Sequence, residues 1–168
     1  AVTKFSGILN CWGWNGYEQA DPPTGAYSQV TVGGLHSCAI DSEGATVCWG
    51  SNDEGQLNVP DVAFTQISAG QWNTCGLDYN NQVHCWGKNE SGQSEAPSGD
   101  YLQISLGDKH GCAITTTGIP KCWGDGTSAQ TIVPSERLQQ ISAGSNHTCG
   151  VNLLEEVVCW GDNTNSII

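Results

Sequence analysis

Nine cysteines are the residues of this 168-residue chain best able to do chemistry, and eight of them stand in pairs ten positions apart: Cys38/Cys48, Cys75/Cys85, Cys112/Cys122 and Cys149/Cys159. Cysteine at this density either binds metal or is oxidised. Structural zinc sites gather thiolates from short Cys-x2–4-Cys spacings, and none occurs here, so no metal and no other cofactor is expected. A ten-residue separation instead suits two cysteines facing each other across an antiparallel hairpin, where opposed Cβ atoms come close enough for a disulfide. If Cys38 opposes Cys48, the turn centres on Glu43, and Ser42-Glu43-Gly44 is a three-residue loop whose last residue takes a left-handed conformation. Gly7, Asn81 and Gly118 suit the same slot in other copies, and Glu155 is the misfit. Four disulfides, each inside one hairpin, are therefore expected, each contributing about 3 kcal/mol by loop entropy. Cys11 lacks a counterpart, because its partner position holds Ala1, which leaves it a free thiol or a contact with another molecule.

A 37-residue repeat positions these pairs. Cys-Trp-Gly recurs at Cys11, Cys48, Cys85, Cys122 and Cys159, and the same step carries Pro23, Pro60, Pro97 and Pro134, Gln19, Gln56, Gln93 and Gln130, and Gly33, Gly70, Gly107 and Gly144. A unit of this size cannot bury its apolar face alone and must stack on its neighbours. Within one unit, 66–70, 74–77 and 83–86 read as strands, followed by a polar loop to Pro97, and nothing reads as a helix. The small residues Ser68, Ala69 and Gly70 suit a crowded innermost strand. The fold class is thus all-β, a β-propeller-like array of about four and a half blades in which residues 1–168 form one repeat domain. A fifth complete unit would need 17 more residues. A ring with one deficient blade, a segment of a longer array and completion by neighbouring subunits are all consistent with that count.

Repetition also sorts the remaining candidates. Trp12, Trp49, Trp86, Trp123 and Trp160 share one position, so packing between units explains them better than five ligand sites. Trp14 and Trp72 stand outside that register and are the binding candidates. His36, His110 and His147 share a register with Asn73, which favours a buried hydrogen-bonding role over a metal ring; His84 has no counterpart and no evident partner. The acidic loops at Asp53-Glu54 and at Asp162 to Asn165 do not match a calcium loop with alternating ligands. No phosphate loop, nucleophile elbow or distinct carboxylate pair points to catalysis, so the chain is expected not to be an enzyme.

Net charge is −12, with five scattered cations, which argues against nucleic acid as a partner and for a solvated surface. Disulfides persist outside the cytosol, so the protein is expected to be secreted or extracellular. It contains no methionine, and Ala1 is expected to be a new terminus left by signal-peptide removal or excision from a precursor. No stretch is long and apolar enough for membrane insertion as a helix. Asn89 and Asn146 open glycosylation sequons, the first in an exposed loop and the second at a strand start, where burial would hinder modification.

The run Gln140 to Gly144, then His147 to Cys149, then Val158 to Gly161, with Gly55-Gln56 and Gly92-Gln93, resembles the repeat of the regulator of chromosome condensation superfamily. The cysteine-bearing form is most similar to secreted bacterial members and to the crinkly repeats of plant receptor-kinase ectodomains. The resemblance covers essentially the whole chain and implies propeller blades. Members commonly close as rings of roughly seven blades and serve as exchange factors, an inhibitor, a photoreceptor and receptor ectodomains, so fold alone does not choose among them. Two functional classes follow: an extracellular module that binds a protein or glycan, and a structural subunit that assembles with copies of itself by completing the incomplete end blade.

Overall fold

Each repeat folds into three short antiparallel strands because its apolar and small residues fall into three runs separated by turn residues. The computed structural model describes residues 7–164; Ala1 and Asn165 lie outside the described residues. The first blade comprises β1 (Gln29–Val32), β2 (His36–Ile40) and β3 (Thr46–Gly50), and the second β4 (Phe64–Ala69), β5 (Asn73–Asp78) and β6 (Val83–Gly87). The third comprises β7 (Tyr101–Leu106), β8 (His110–Thr115) and β9 (Pro120–Gly124), and the fourth β10 (Leu138–Ala143), β11 (His147–Asn152) and β12 (Val157–Gly161). Every sheet has its strands in sequence order, and the innermost strands β1, β4, β7 and β10 adjoin one another in succession.

The expected register is the observed one. Cys38 pairs with Cys48, Cys75 with Cys85, Cys112 with Cys122 and Cys149 with Cys159 across the ladder, and all four pairs are disulfides. The strands run slightly longer than the sequence pattern indicates. Phe64, for example, joins β4 through a bulge between Phe64 and Gln66 that the alternation of apolar residues does not reveal.

The middle strands of the second and third blades lie between a blade on each side, and β2 and β5 are buried throughout. Residues there must be small where a neighbour's large side chain enters. A Cβ at Gly76 would collide with the Phe64 ring, and the other copies place only Ala39, Ala113 and Gly150 at that position. Phe64, Ile67 and Trp86 of the second blade pack with Cys38 and Ile40 of the first, so the core lies between blades rather than within them.

All four hairpin turns place their last loop residue in the left-handed region. Gly44, Asn81 and Gly118 do so at φ 89°, 63° and 83°, and Glu155, a residue type that rarely adopts this conformation, does so at φ 64°. Glu155→Gly is therefore expected to stabilise the protein by about 1 kcal/mol, read as a rise in denaturation midpoint at unchanged m-value. Loss of stability would contradict the turn assignment. The residue before each turn has a role that the cysteine spacing does not disclose. Asp41 and Asp78 each accept two backbone N–H bonds through one carboxylate oxygen, and the Asn152 side-chain carbonyl does the same.

Candidate functional site

The positions repeated in every blade serve to join blades. Trp49, Trp86, Trp123 and Trp160 each donate the indole N–H to a backbone carbonyl 30 residues earlier, that of Gln19, Gln56, Gln93 and Gln130, all at 2.9 Å. Gln56, Gln93 and Gln130 are themselves buried, and their side-chain oxygens accept loop N–H groups. Trp12 departs from the expectation of core packing. It is 88% exposed, because no earlier unit among the described residues offers it a carbonyl or a wall.

A second set of bonds, not anticipated from composition, forms a zipper along the innermost strands. Gln29 donates its amide to the Ile67 carbonyl at 2.9 Å and accepts the Ile67 N–H at 3.0 Å. Gln66 does the same to Ile104, and Gln103 to Ile141. Two residues on, Thr31, Ser68 and Ser105 accept the N–H groups of Ala69, Leu106 and Ala143. The fixed Gln-x-Ser/Thr register was the available signal, since polar side chains repeated on an inner strand need partners.

The histidine register is structural too. His36 Nε2 hydrogen-bonds Thr74 Oγ1 at 2.7 Å and His110 Nε2 hydrogen-bonds Thr148 Oγ1 at 2.8 Å, each on the next blade. Asn73 faces the blade where that threonine is replaced by Gly111, and its amide turns to the Gln93 carbonyl instead. At the three seams between the four blades, His and Thr are thus present or absent together. Burial pushes the His36 and His110 pKa values down to about 4. His84 does have a partner: its Nε2 lies 3.0 Å from Asp78 Oδ2, and hydrogen bonds from the turn and from His84 hold that carboxyl below its usual range despite the opposing effect of burial.

The array has two unlike open faces among the described residues. At the first blade a cleft of about 390 Å3 is lined by Cys11, Trp12, Trp14, Val30, Val32 and Ser37. Trp14 is exposed and rests edge-on against Tyr17, with ring centroids 5.7 Å apart. Cys11, unpaired, is half-buried. At the fourth blade Gln140 and Ser142, the residues that would clamp a following blade, are exposed.

Other sequence candidates lie apart from this cleft. Trp72 is half-buried in the second blade, and its carbonyl accepts the Lys88 N–H. Asp53 accepts from the Ser51 hydroxyl, Glu54 pairs with Lys88 at 2.9 Å, and Asp162 accepts the Thr164 N–H. Asn89 is exposed, with its amide on Glu95 and its carbonyl oxygen accepting the Ser94 N–H. Asn146 is also exposed, contrary to the burial expected at a strand start, because it precedes β11 and sits at the blade rim.

A model of the Regulator of chromosome condensation (RCC1) repeat matches residues 27–56, 64–93, 102–130 and 139–166, one match for each blade. The chain belongs to the RCC1-repeat family. Among solved structures, this RCC1-repeat chain is similar to the entire ectodomain of the Physcomitrella patens receptor kinase CR4, with a TM-score of 0.80 and 29% identity over 97% of this chain and 48% of that one. It is also similar to the CRINKLY WD40 ectodomain of the Arabidopsis thaliana receptor kinase ACR4, with a TM-score of 0.77 and 26% identity over 93% of this chain and 62% of that one. Prp20p of Saccharomyces cerevisiae shares the fold, with a TM-score of 0.68 at 22% identity over 80% of this chain and 44% of that one. The RCC1-repeat chain thus spans less than two thirds of the length of these structures. No curated protein matches it in sequence.

Proposed function

We propose that this protein is a non-enzymatic, extracellular propeller module whose role is to bind a protein ligand. The carrying observation is the apolar cleft at the first blade, where Trp12, Trp14, Val30 and Val32 are all exposed around one concavity. Large aromatic side chains around a concavity are the usual anchors of a protein interface. Four disulfides and the likeness to two receptor-kinase ectodomains support the extracellular setting. Neither bears on nucleic acid, which the charge of −12 disfavours.

Arrays of extracellular proteins and of glycans, probed with wild type and with Trp14→Ala and Trp72→Ala, test this proposal. Saturable binding to a protein, weakened at least about tenfold by Trp14→Ala at unchanged melting temperature, is expected of an aromatic anchor. Binding to glycans alone, or binding indifferent to Trp14, would replace the protein ligand or the cleft.

A second proposal, self-assembly, has its own support. Gln140 and Ser142, exposed, are the halves of a zipper whose other halves, by the 38-residue step, would be the backbone groups of Val30 and Val32 at the opposite end. Such head-to-tail contacts build rings or filaments. Gly7 already holds its hairpin-turn position against Tyr27, as Gly118 does against Leu138, so a docking copy would have to displace the segment that follows Gly7. Light scattering over a concentration series decides: mass that grows in wild type and falls to monomer in Ser142→Arg supports assembly, and a constant monomer removes it.

A further inference from the structure

The four blades are internal controls for one another. A residue the fold requires recurs in register, and an exposed apolar residue where the siblings are polar is one the fold does not require; several of these around one space mark a surface worth testing for a ligand. Three such departures cluster at the hairpin-turn end of the third and fourth blades. Leu102 is 60% exposed where the siblings are Ser28, Thr65 and Gln139. Leu153 is 61% exposed where Ser42 and Thr116 are polar and the third sibling, Tyr79, is an aromatic exposed to the same degree. Leu154 is 77% exposed where the siblings are Glu43, Asn80 and Thr117. Leu102 and Leu153 line a single groove of about 770 Å3 that crosses the second, third and fourth blades, with Ile114 and Leu138 in its floor.

Arg137, the one arginine of the chain, lines the same groove where its siblings are Ala26, Ala63 and Asp100. Among the described residues its guanidinium has neither an ion-pair partner nor a hydrogen bond, although the chain carries 17 acidic residues. A planar group with five free donors at the edge of an apolar groove matches a carboxylate. The strongly negative surroundings disfavour a polyanion and admit a ligand with one such charge.

We propose that this groove is a peptide-docking site whose occupant is an extended segment of a protein partner, apolar in its main contacts and carrying one aspartate or glutamate that pairs with Arg137. The proposal rests on the protein-binding function above but places the contact on a different surface from the Trp14 cleft. Leu102 and Leu153 supply the apolar contacts, and the Thr116, Thr117 and Gln139 side chains supply polar groups for the peptide backbone.

The test uses variants that borrow sibling residues and so leave the fold intact: Arg137→Ala, and the pair Leu102→Thr with Leu153→Thr. A displayed random peptide library is selected on the full chain. The expected consensus is a run of apolar residues with one Asp or Glu. Each variant should weaken the selected peptides roughly tenfold or more, with melting temperature unchanged. Amidating the peptide C-terminus should leave affinity unchanged, and replacing the acid by its amide should match the loss seen in Arg137→Ala. The proposal is overturned if the library yields no peptide, if the consensus is basic, if affinity depends on the free C-terminus, or if the variants bind as wild type does. A protein ligand that binds wild type and both variants equally would overturn the groove alone and leave the binding function standing.

Discussion

Replacing Trp86 with Ala should destabilise the protein by about 3–5 kcal/mol, whereas Trp12→Ala, at the same repeat position, should cost less than about 0.5 kcal/mol. The contrast follows from burial. Trp86 is 6% exposed, stacks on Phe64 with ring centroids 5.7 Å apart and donates its indole N–H to Gln56, so its removal empties the seam between two blades and leaves a buried carbonyl unpaired. Trp12 has none of these contacts. Chemical denaturation of the two variants measures the difference, and equal effects would mean that the first blade is covered as the others are.

Acid should weaken the fold before its carboxylates are protonated. His36 and His110 are buried with pKa values held at about 4, against about 6.5 in the unfolded chain. Between those values the unfolded state binds more protons, so stability falls as pH drops from about 6.5 to about 4, by an amount on the order of 3 kcal/mol per histidine. Toward pH 4 the surface carboxylates begin to be protonated, which relieves self-repulsion and acts in the opposite direction, so the difference between variants is the quantity to read. His36→Asn, the residue the second blade already uses as Asn73, should remove about half of the histidine-linked dependence of melting temperature on pH. An unchanged slope would place the acid sensitivity elsewhere.

What the sequence made legible was whatever repeats. The cysteine spacing defines the hairpin register and the turn at Gly44, because opposed residues on paired strands must be equidistant from their turn. The Trp-Gly position reads as core for the same reason, and correctly so where a neighbouring blade exists. It fails at Trp12 because repetition reports what a position does inside the array and is silent about its ends. The Gln29-type zipper and the pairing of His36 with Thr74 were not read, because each joins residues 38 apart on different blades, and no local pattern links them. The groove beside Arg137 was hidden for the opposite reason. Its residues break the repeat, and their meaning appears only when the fold shows Leu102, Leu153 and Arg137 around one space.

The account depends on each complete blade being closed by its own hairpin, with Cys11 outside any hairpin pair. Peptide mapping without reduction, after alkylating the native protein, tests both at once. Cys38–Cys48, Cys75–Cys85, Cys112–Cys122 and Cys149–Cys159 should be recovered as linked pairs, with the alkyl group on Cys11 alone. Cysteines linked between blades, or alkylation at any of the eight paired positions, would contradict the hairpin register and the stack of blades built on it.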